Sequence, residues 1–260
     1  MISFTPFDWS LLGAPLAAGL LVVSTHVALG REVLRRGIIF IDLTIAQIAA
    51  LGAVIAEAAG AGETGWQVRV AAGAAALLAA SILAWTERRW PALQEALIGC
   101  LYVVAASLAI IVLTNNPHGA EHFTRLVAGQ ILWVTYAQLG PIAVLYAIVL
   151  ALWVWQRGAH PGWFYPLFAL TITASVQLVG VYLVFATLIL PALAAHGMRP
   201  ARGLTLAYAV GIIGYLAGLW LSVPWDLPSG PLIVCTLAGI ALATGITRGV
   251  RIRRALPLLS

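Results

Sequence analysis

Eight apolar stretches of membrane-spanning length run almost end to end through this 260-residue chain, at 9–29, 37–56, 68–85, 92–113, 137–155, 163–190, 203–223 and 231–246. A bilayer hydrocarbon core of about 30 Å takes roughly 20 apolar residues per helix. Backbone amides in lipid find no water, so each stretch must close its own hydrogen bonds and is predicted as a helix. The weaker, alternating pattern of an outer-membrane barrel is absent. Only 9% of residues are charged, against roughly a quarter in soluble domains. The loops are too short to hold a soluble domain. The expected fold is therefore all-α: one polytopic transmembrane bundle over 1–260, with about eight spans and a range of seven to nine.

All 14 basic residues are arginine. The phosphate-cradling loop of the common ATPases needs a lysine, so the chain is not expected to hydrolyse ATP, and any energy must come from another subunit. Neither H-E-x-x-H nor G-x-S-x-G is present, which removes the usual intramembrane hydrolases. No enzyme activity is expected, and no cofactor bound by this chain. The net charge of +5 is no nucleic-acid footprint, because the arginines sit at segment ends. Cys100 and Cys235 lie far apart inside apolar segments and belong to no CxxC pair. Asp8 precedes the first apolar stretch without any basic residue, so that stretch is expected to stay as a membrane helix rather than a cleaved signal.

Short cytoplasmic loops hold the Lys and Arg of membrane proteins. By that rule Arg31, Arg35 and Arg36 put the first loop inside and the N-terminus outside. Arg248, Arg251, Arg253 and Arg254 put the C-terminus inside as well. Eight simple crossings cannot satisfy both placements. The 163–190 stretch is long for one helix and is interrupted near 177–180. If the chain turns back there, giving one short crossing and one half-helix, 12 of the 14 arginines fall inside, and only Arg69 and Arg125 fall outside. Residues 123–134, with Gly129 and Gln130, form a second candidate for a partial crossing.

Charged groups inside spans cost about 3 kcal/mol on insertion scales and so normally face the bundle or a pathway. Asp42 in the second span is the foremost candidate, with Thr44 and Gln47 following it. At about 100° per residue, Asp42 and Gln47 lie about 140° apart. The competing reading of Asp42 is an ion pair with Arg35 or Arg36. Glu95, near the start of the fourth span, suits the first turn of a helix with no function required. His118 and His122, beside Glu121, have the i/i+4 spacing of a metal pair. Asn115, Asn116, Pro117 and Gly119 argue for a solvated turn in the same place.

Four stretches in order resemble the permeases of the zinc/manganese-type ABC importers. They are Arg35-Arg36 running to Asp42 and Gly52; Gln94-Glu95 running to Gly99; Gln177 through Gly180 to Pro191-Ala-Leu-Ala194; and Asp226-Leu-Pro228-Ser-Gly230. The resemblance implies a permease in the bacterial inner (plasma) membrane, importing a divalent metal, zinc or manganese. It implies three kinds of partner: an ABC ATPase that binds the ATP, an extracytoplasmic metal-binding protein, and a second permease copy or sister permease. The candidate translocation path, read from the polar groups within spans, runs through Asp42, Thr44, Gln47 and Glu95, with Asp42 a transient metal ligand. The resemblance implies ATPase coupling through the 191–202 loop, with Pro191, Ala194, His196, Arg199 and Arg202 working as a short helix seated in the partner. The Asp226-Pro228-Gly230 turn would face outward. One departure stands out: where the family carries a histidine four residues after the Asp, this chain has Ala46, then Gln47.

Two rivals stay open at this point. A self-sufficient secondary transporter would use Asp42 as a proton or cation relay, and it predicts internal inverted repeats that the chain does not display. The same ABC scaffold carrying a metal chelate or another small solute would account for the missing histidine.

Overall fold

The computed structural model describes residues 9–61, 65–113, 131–155, 163–224 and 227–255. Within them all regular structure is helical: α1 (Trp9–Arg36), α2 (Ile41–Ala58), α3 (Trp66–Arg89), α4 (Gln94–Leu113), α5 (Tyr136–Trp155), α6 (Phe164–Val179), α7 (Val181–Ala194), α8 (Pro200–Ser222) and α9 (Ser229–Ala255). Short 3-10 turns, Pro91–Leu93 and Ile131–Trp133, lead into α4 and α5. Seven helices are long and apolar enough to cross a membrane; α6 and α7 are the shorter apolar pair. Residues 123–130, the greater part of the second predicted partial crossing, lie outside the described residues, as do Arg125, His118, Glu121, His122 and Asp226.

The sixth apolar stretch, 163–190, does divide where the sequence is interrupted. Gly180 separates α6 from α7 at φ 85°, ψ 162°, a conformation that only glycine adopts without strain. Its N–H still donates to the Val176 carbonyl and its own carbonyl accepts from Val184, so both backbone groups of Gly180 stay bonded across the break. At about 1.5 Å per residue the two arms measure roughly 24 and 21 Å, each short of the hydrocarbon core.

Contacts fix where each arm points. The Arg36 guanidinium, at the end of α1, lies 4.4 Å from the Phe164 ring centre at the start of α6. Gly30, two turns earlier on α1, packs against the Leu188 carbonyl of α7, and Arg31 donates to the Pro200 carbonyl at 2.9 Å. Both open ends of the α6–α7 pair therefore meet the C-terminal end of α1. The pair is a re-entrant hairpin, entering from one face and returning to it. It is not the expected short crossing plus half-helix, because both arms are too short to cross and both open ends are held at the end of α1. The same face collects the start of α2, the end of α3, the starts of α4 and α8, and the arginine-rich end of α9. Seven crossings plus one hairpin leave the start of α1 and the end of α9 on opposite faces.

Helix–helix contact is close where side chains are smallest. A Cβ on Gly218 of α8 would sit 2.5 Å from the Ile233 Cα of α9, and Gly214 meets Leu237 in the same seam. The Thr236 hydroxyl donates to the Gly214 carbonyl at 2.8 Å across it. Small residues of this kind allow backbones to approach in lipid, where no hydrophobic force drives helices together. Tryptophans mark both edges of the bundle. Trp66, Trp133 and Trp220 are exposed at one end, and Trp85, Trp90, Trp155 and Trp163 at the arginine-rich end, as amphipathic rings settle at the two bilayer interfaces.

Candidate transport site

The first turn of α2 carries the site. Gly37, at φ 71°, ends α1 after the Arg35–Arg36 pair, and four residues later, at Ile41, the chain re-enters the bundle as α2. This helix is enclosed by α3, α4, α6 and α7. That enclosure explains why Asp42, Thr44 and Gln47 are all buried although the helix turns about 140° between the first and the last.

Asp42 is 1% exposed, and neither carboxylate oxygen makes a hydrogen bond to another group. The backbone N–H groups of Leu43 and of Asp42 itself, in the opening turn of α2, lie near it without closing a hydrogen bond. The ion pair that the sequence allowed with Arg35 or Arg36 does not form. Arg35 pairs with Glu32 at 2.6 Å, and Arg36 pairs with Glu32 at 2.8 Å and with Glu87 at 3.3 Å. The arginines are claimed by other acids, and Asp42 is left inside the protein without one.

Thr44 is held differently. Its hydroxyl lies 3.0 Å from the Ile98 carbonyl of α4 and 3.2 Å from the Phe40 carbonyl, so it ties α2 to α4. Gln47 is buried with its amide nitrogen unbonded. Glu95, in the first turn of α4, turns its carboxylate toward the backbone N–H groups of Phe40 and Ile39, two and three positions before Asp42. Its Oε2 is buried without a hydrogen bond. Asp42 and Gln47 thus lie buried on different sides of α2, and Glu95 faces the link that precedes it. All of their donor atoms are oxygens except the Gln47 amide nitrogen, and no cluster of three or more His, Cys, Asp or Glu side chains of metal-binding geometry occurs among the described residues.

The remaining sites named from the sequence fall elsewhere. Pro191 and Ala194 are buried near the end of α7, whereas His196, Arg199 and Arg202 are exposed where α7 passes into α8. No separate helix stands between them: residues 195–199 form a turn through Gly197, with the Met198 N–H donating to the Ala195 carbonyl at 3.3 Å. Leu193, 54% exposed, adds an apolar contact at the same corner. Pro228 is exposed on the opposite face, and Gly230 lies buried within the first turn of α9 rather than in the loop.

Sequence reasoning passed over His26, isolated in α1 with no partner in the sequence. It is fully buried, with Nδ1 2.9 Å from the Val22 carbonyl and Nε2 without a hydrogen bond. It also passed over the hydroxyl pairs that staple helices at depth, Thr187 to Tyr215 at 2.8 Å and Tyr146 to Ser175. No local signal reveals such pairs, since their members are 28 and 29 residues apart.

Comparison with known proteins places these observations in a family. Residues 9–159 and 161–248 match the family described as the ABC 3 transport family. The manganese transport system membrane protein MntC of Halalkalibacterium halodurans is 24% identical over 271 residues, covering 95% of this chain and 91% of that protein. A probable iron transport system membrane protein of Haemophilus influenzae is 27% identical over 182 residues, covering 62% of this chain and 67% of the relative. The fold matches a chain of PsaBC from Streptococcus pneumoniae, solved in complex with Fab, with a TM-score of 0.72 and 20% identity over 91% of each chain.

Proposed function

Since this chain belongs to the ABC 3 transport family, we propose that it is the membrane permease subunit of an ATP-driven importer that carries a divalent metal ion, manganese before zinc. The observation that carries this reading is Asp42, a carboxylate enclosed at the entrance of α2 with no cation paired to it. An ionisable group left unpaired inside a membrane bundle marks a solute or ion pathway. Glu95 and the Gln47 carbonyl extend the donor set with further oxygens.

Oxygen-only ligation suits manganese, whereas zinc sites are commonly built with imidazole or thiolate. Ala46 withholds a nitrogen ligand from this part of α2. A weak, carboxylate-based site is compatible with transport, because release matters as much as capture. The names of the manganese and iron relatives agree with a cargo of this class.

In this reading the arginine-rich face is cytoplasmic, with the N-terminus outside and the C-terminus inside. ATP is bound and hydrolysed on a partner ATPase, which meets the corner formed by Leu193, His196, Arg199 and Arg202. A second permease, identical or a sister chain, completes the path. An extracytoplasmic metal-binding protein delivers the ion at the face where Pro228 lies. Closure of the ATPase moves the corner as a rigid unit and alternates access to Asp42 between the two faces.

The test is uptake by proteoliposomes holding this chain with its co-purified ATPase, supplied with manganese, zinc and iron together. ATP-dependent manganese uptake that disappears in Asp42→Asn is the expected result. A stable ATPase complex that moves none of the three metals would overturn the metal assignment and leave the chelate reading in its place.

A further inference from the structure

The ion pairs that leave Asp42 alone are themselves arranged around one residue. The Arg36 guanidinium bonds Glu32 of its own helix at 2.8 Å and reaches both oxygens of Glu87, near the end of α3, at 3.3 Å. It also lies over two rings at the start of α6, 4.4 Å from the centre of Phe164 and 5.9 Å from that of Tyr165. Behind it the Tyr165 hydroxyl is within 3.5 Å of the Gln94 amide of α4. Gln94 in turn bonds the Leu83 carbonyl and the Thr86 hydroxyl of α3, at 3.0 and 2.9 Å. One side chain thus joins α1, α3 and α6, and its neighbours bring in α4. Its own exposure is 15%, so the pairs are shielded and worth more than surface contacts.

Position gives this cluster its meaning. The hairpin has two open ends, both against the last two turns of α1. One is Phe164–Tyr165 under Arg36; the other is the α7–α8 corner, held by Arg31 on the Pro200 carbonyl and by Gly30 on Leu188. Directly after Arg36 comes the four-residue link that leads to Asp42. The amides of Ile39 and Phe40 in that link face Glu95, and the Phe40 ring stacks on Phe185 of α7 at 6.2 Å. The hairpin's contacts with Arg36 and Phe40 thus lead, through the residues just beyond Arg36, to Asp42 and Glu95.

We propose that Arg36 is a positioning residue, a clamp that converts movement of the α6–α7 hairpin into movement of the Asp42–Glu95 site. The proposal rests on the permease reading above and specifies how its two ends are joined. Arginine is the residue suited to the place, since its planar fork serves carboxylates on its edge and an aromatic ring on its face, which lysine does not. Removing the clamp disconnects ATP hydrolysis from transport and spares both the hydrolysis and the assembly.

The experiment compares wild type, Arg36→Ala, Arg36→Lys, Glu87→Gln and the Arg36→Ala/Glu87→Gln double variant, each as the complete complex in proteoliposomes. It reads ATP hydrolysed per manganese ion delivered, beside the yield and thermal midpoint of the assembled complex. Arg36→Ala is expected to raise the ATP cost per ion about tenfold or more, a coupling effect of ordinary allosteric size. Arg36→Lys should fall between, and the double variant should be no worse than Arg36→Ala alone, since both changes cut the same link. Amide exchange at residues 164–170 and 37–42 should rise together in Arg36→Ala. An unchanged ATP cost in a folded Arg36→Ala complex would overturn the clamp alone, as would a loss of transport matched by loss of assembly. A wild-type complex that hydrolyses ATP without moving metal would overturn the permease reading, and the clamp with it.

Discussion

Asp42 and Arg36 stand six residues apart and carry opposite charges, yet the fold keeps them from neutralising each other. Arg36 is spent on Glu32, Glu87 and the Phe164 ring, and Asp42 goes into the bundle alone. A buried charge without a partner is a standing cost to stability, retained where function needs it. Asp42→Asn keeps the shape and removes the charge. It should therefore stabilise the solubilised protein by about 1–3 kcal/mol even as it abolishes uptake. Thermal unfolding in detergent, run beside the uptake assay, checks the sign; a destabilised Asn variant would mean that Asp42 is satisfied by something the bundle supplies. Thr44 shows the opposite design, because its hydroxyl is already engaged on the Ile98 and Phe40 carbonyls and is a tie between helices.

At the scale of elements, the hairpin of α6 and α7 depends on one torsion. Gly180 has φ 85° and ψ 162°, where any side chain is strained. Gly180→Ala should cost about 1–3 kcal/mol, and it acts by pressing α6 and α7 toward one continuous helix. Cysteine cross-linking between the two arms would report that straightening as a loss of cross-linked product; an unchanged pattern and an unchanged thermal midpoint would show that the break is set by surrounding packing instead. The break was legible in the sequence as an over-long apolar run with Gln177 and Gly180 in its middle. The arginine placement also pointed to a turn back, but not to what holds the two arms, which is decided by what α1 offers at its end: a glycine at position 30 for the Leu188 carbonyl, an arginine at 31 for Pro200 and another at 36 for Phe164.

For the whole molecule, the hairpin adds no crossing and the seven that remain are odd in number, as an arginine bias at both the first loop and the C-terminus requires. A cysteine placed ahead of α1 should react with an impermeant maleimide added to intact cells, and one placed after α9 should react only after permeabilisation. Reaction of both from outside would break the seven-crossing arrangement. Composition and spacing alone determined that this chain is a helical membrane bundle, because lipid tolerates no other way to satisfy a backbone. They also placed most helix ends to within about four residues, since glycine, proline and arginine act locally there, although α1 and α9 run on well past their predicted ends, to Arg36 and Ala255. The sequence singled out Asp42 and Glu95 as well, because a carboxylate among apolar neighbours is conspicuous wherever it stands. Only the tertiary structure decided which charges are paired, since an ion pair such as Arg36–Glu87 joins residues 51 positions apart. It likewise decided that Asp42 has no such partner and that the corner after α7 is a turn, not a helix. These are matters of which surfaces meet, and helices that are apolar on every side leave no stripe from which their neighbours can be read.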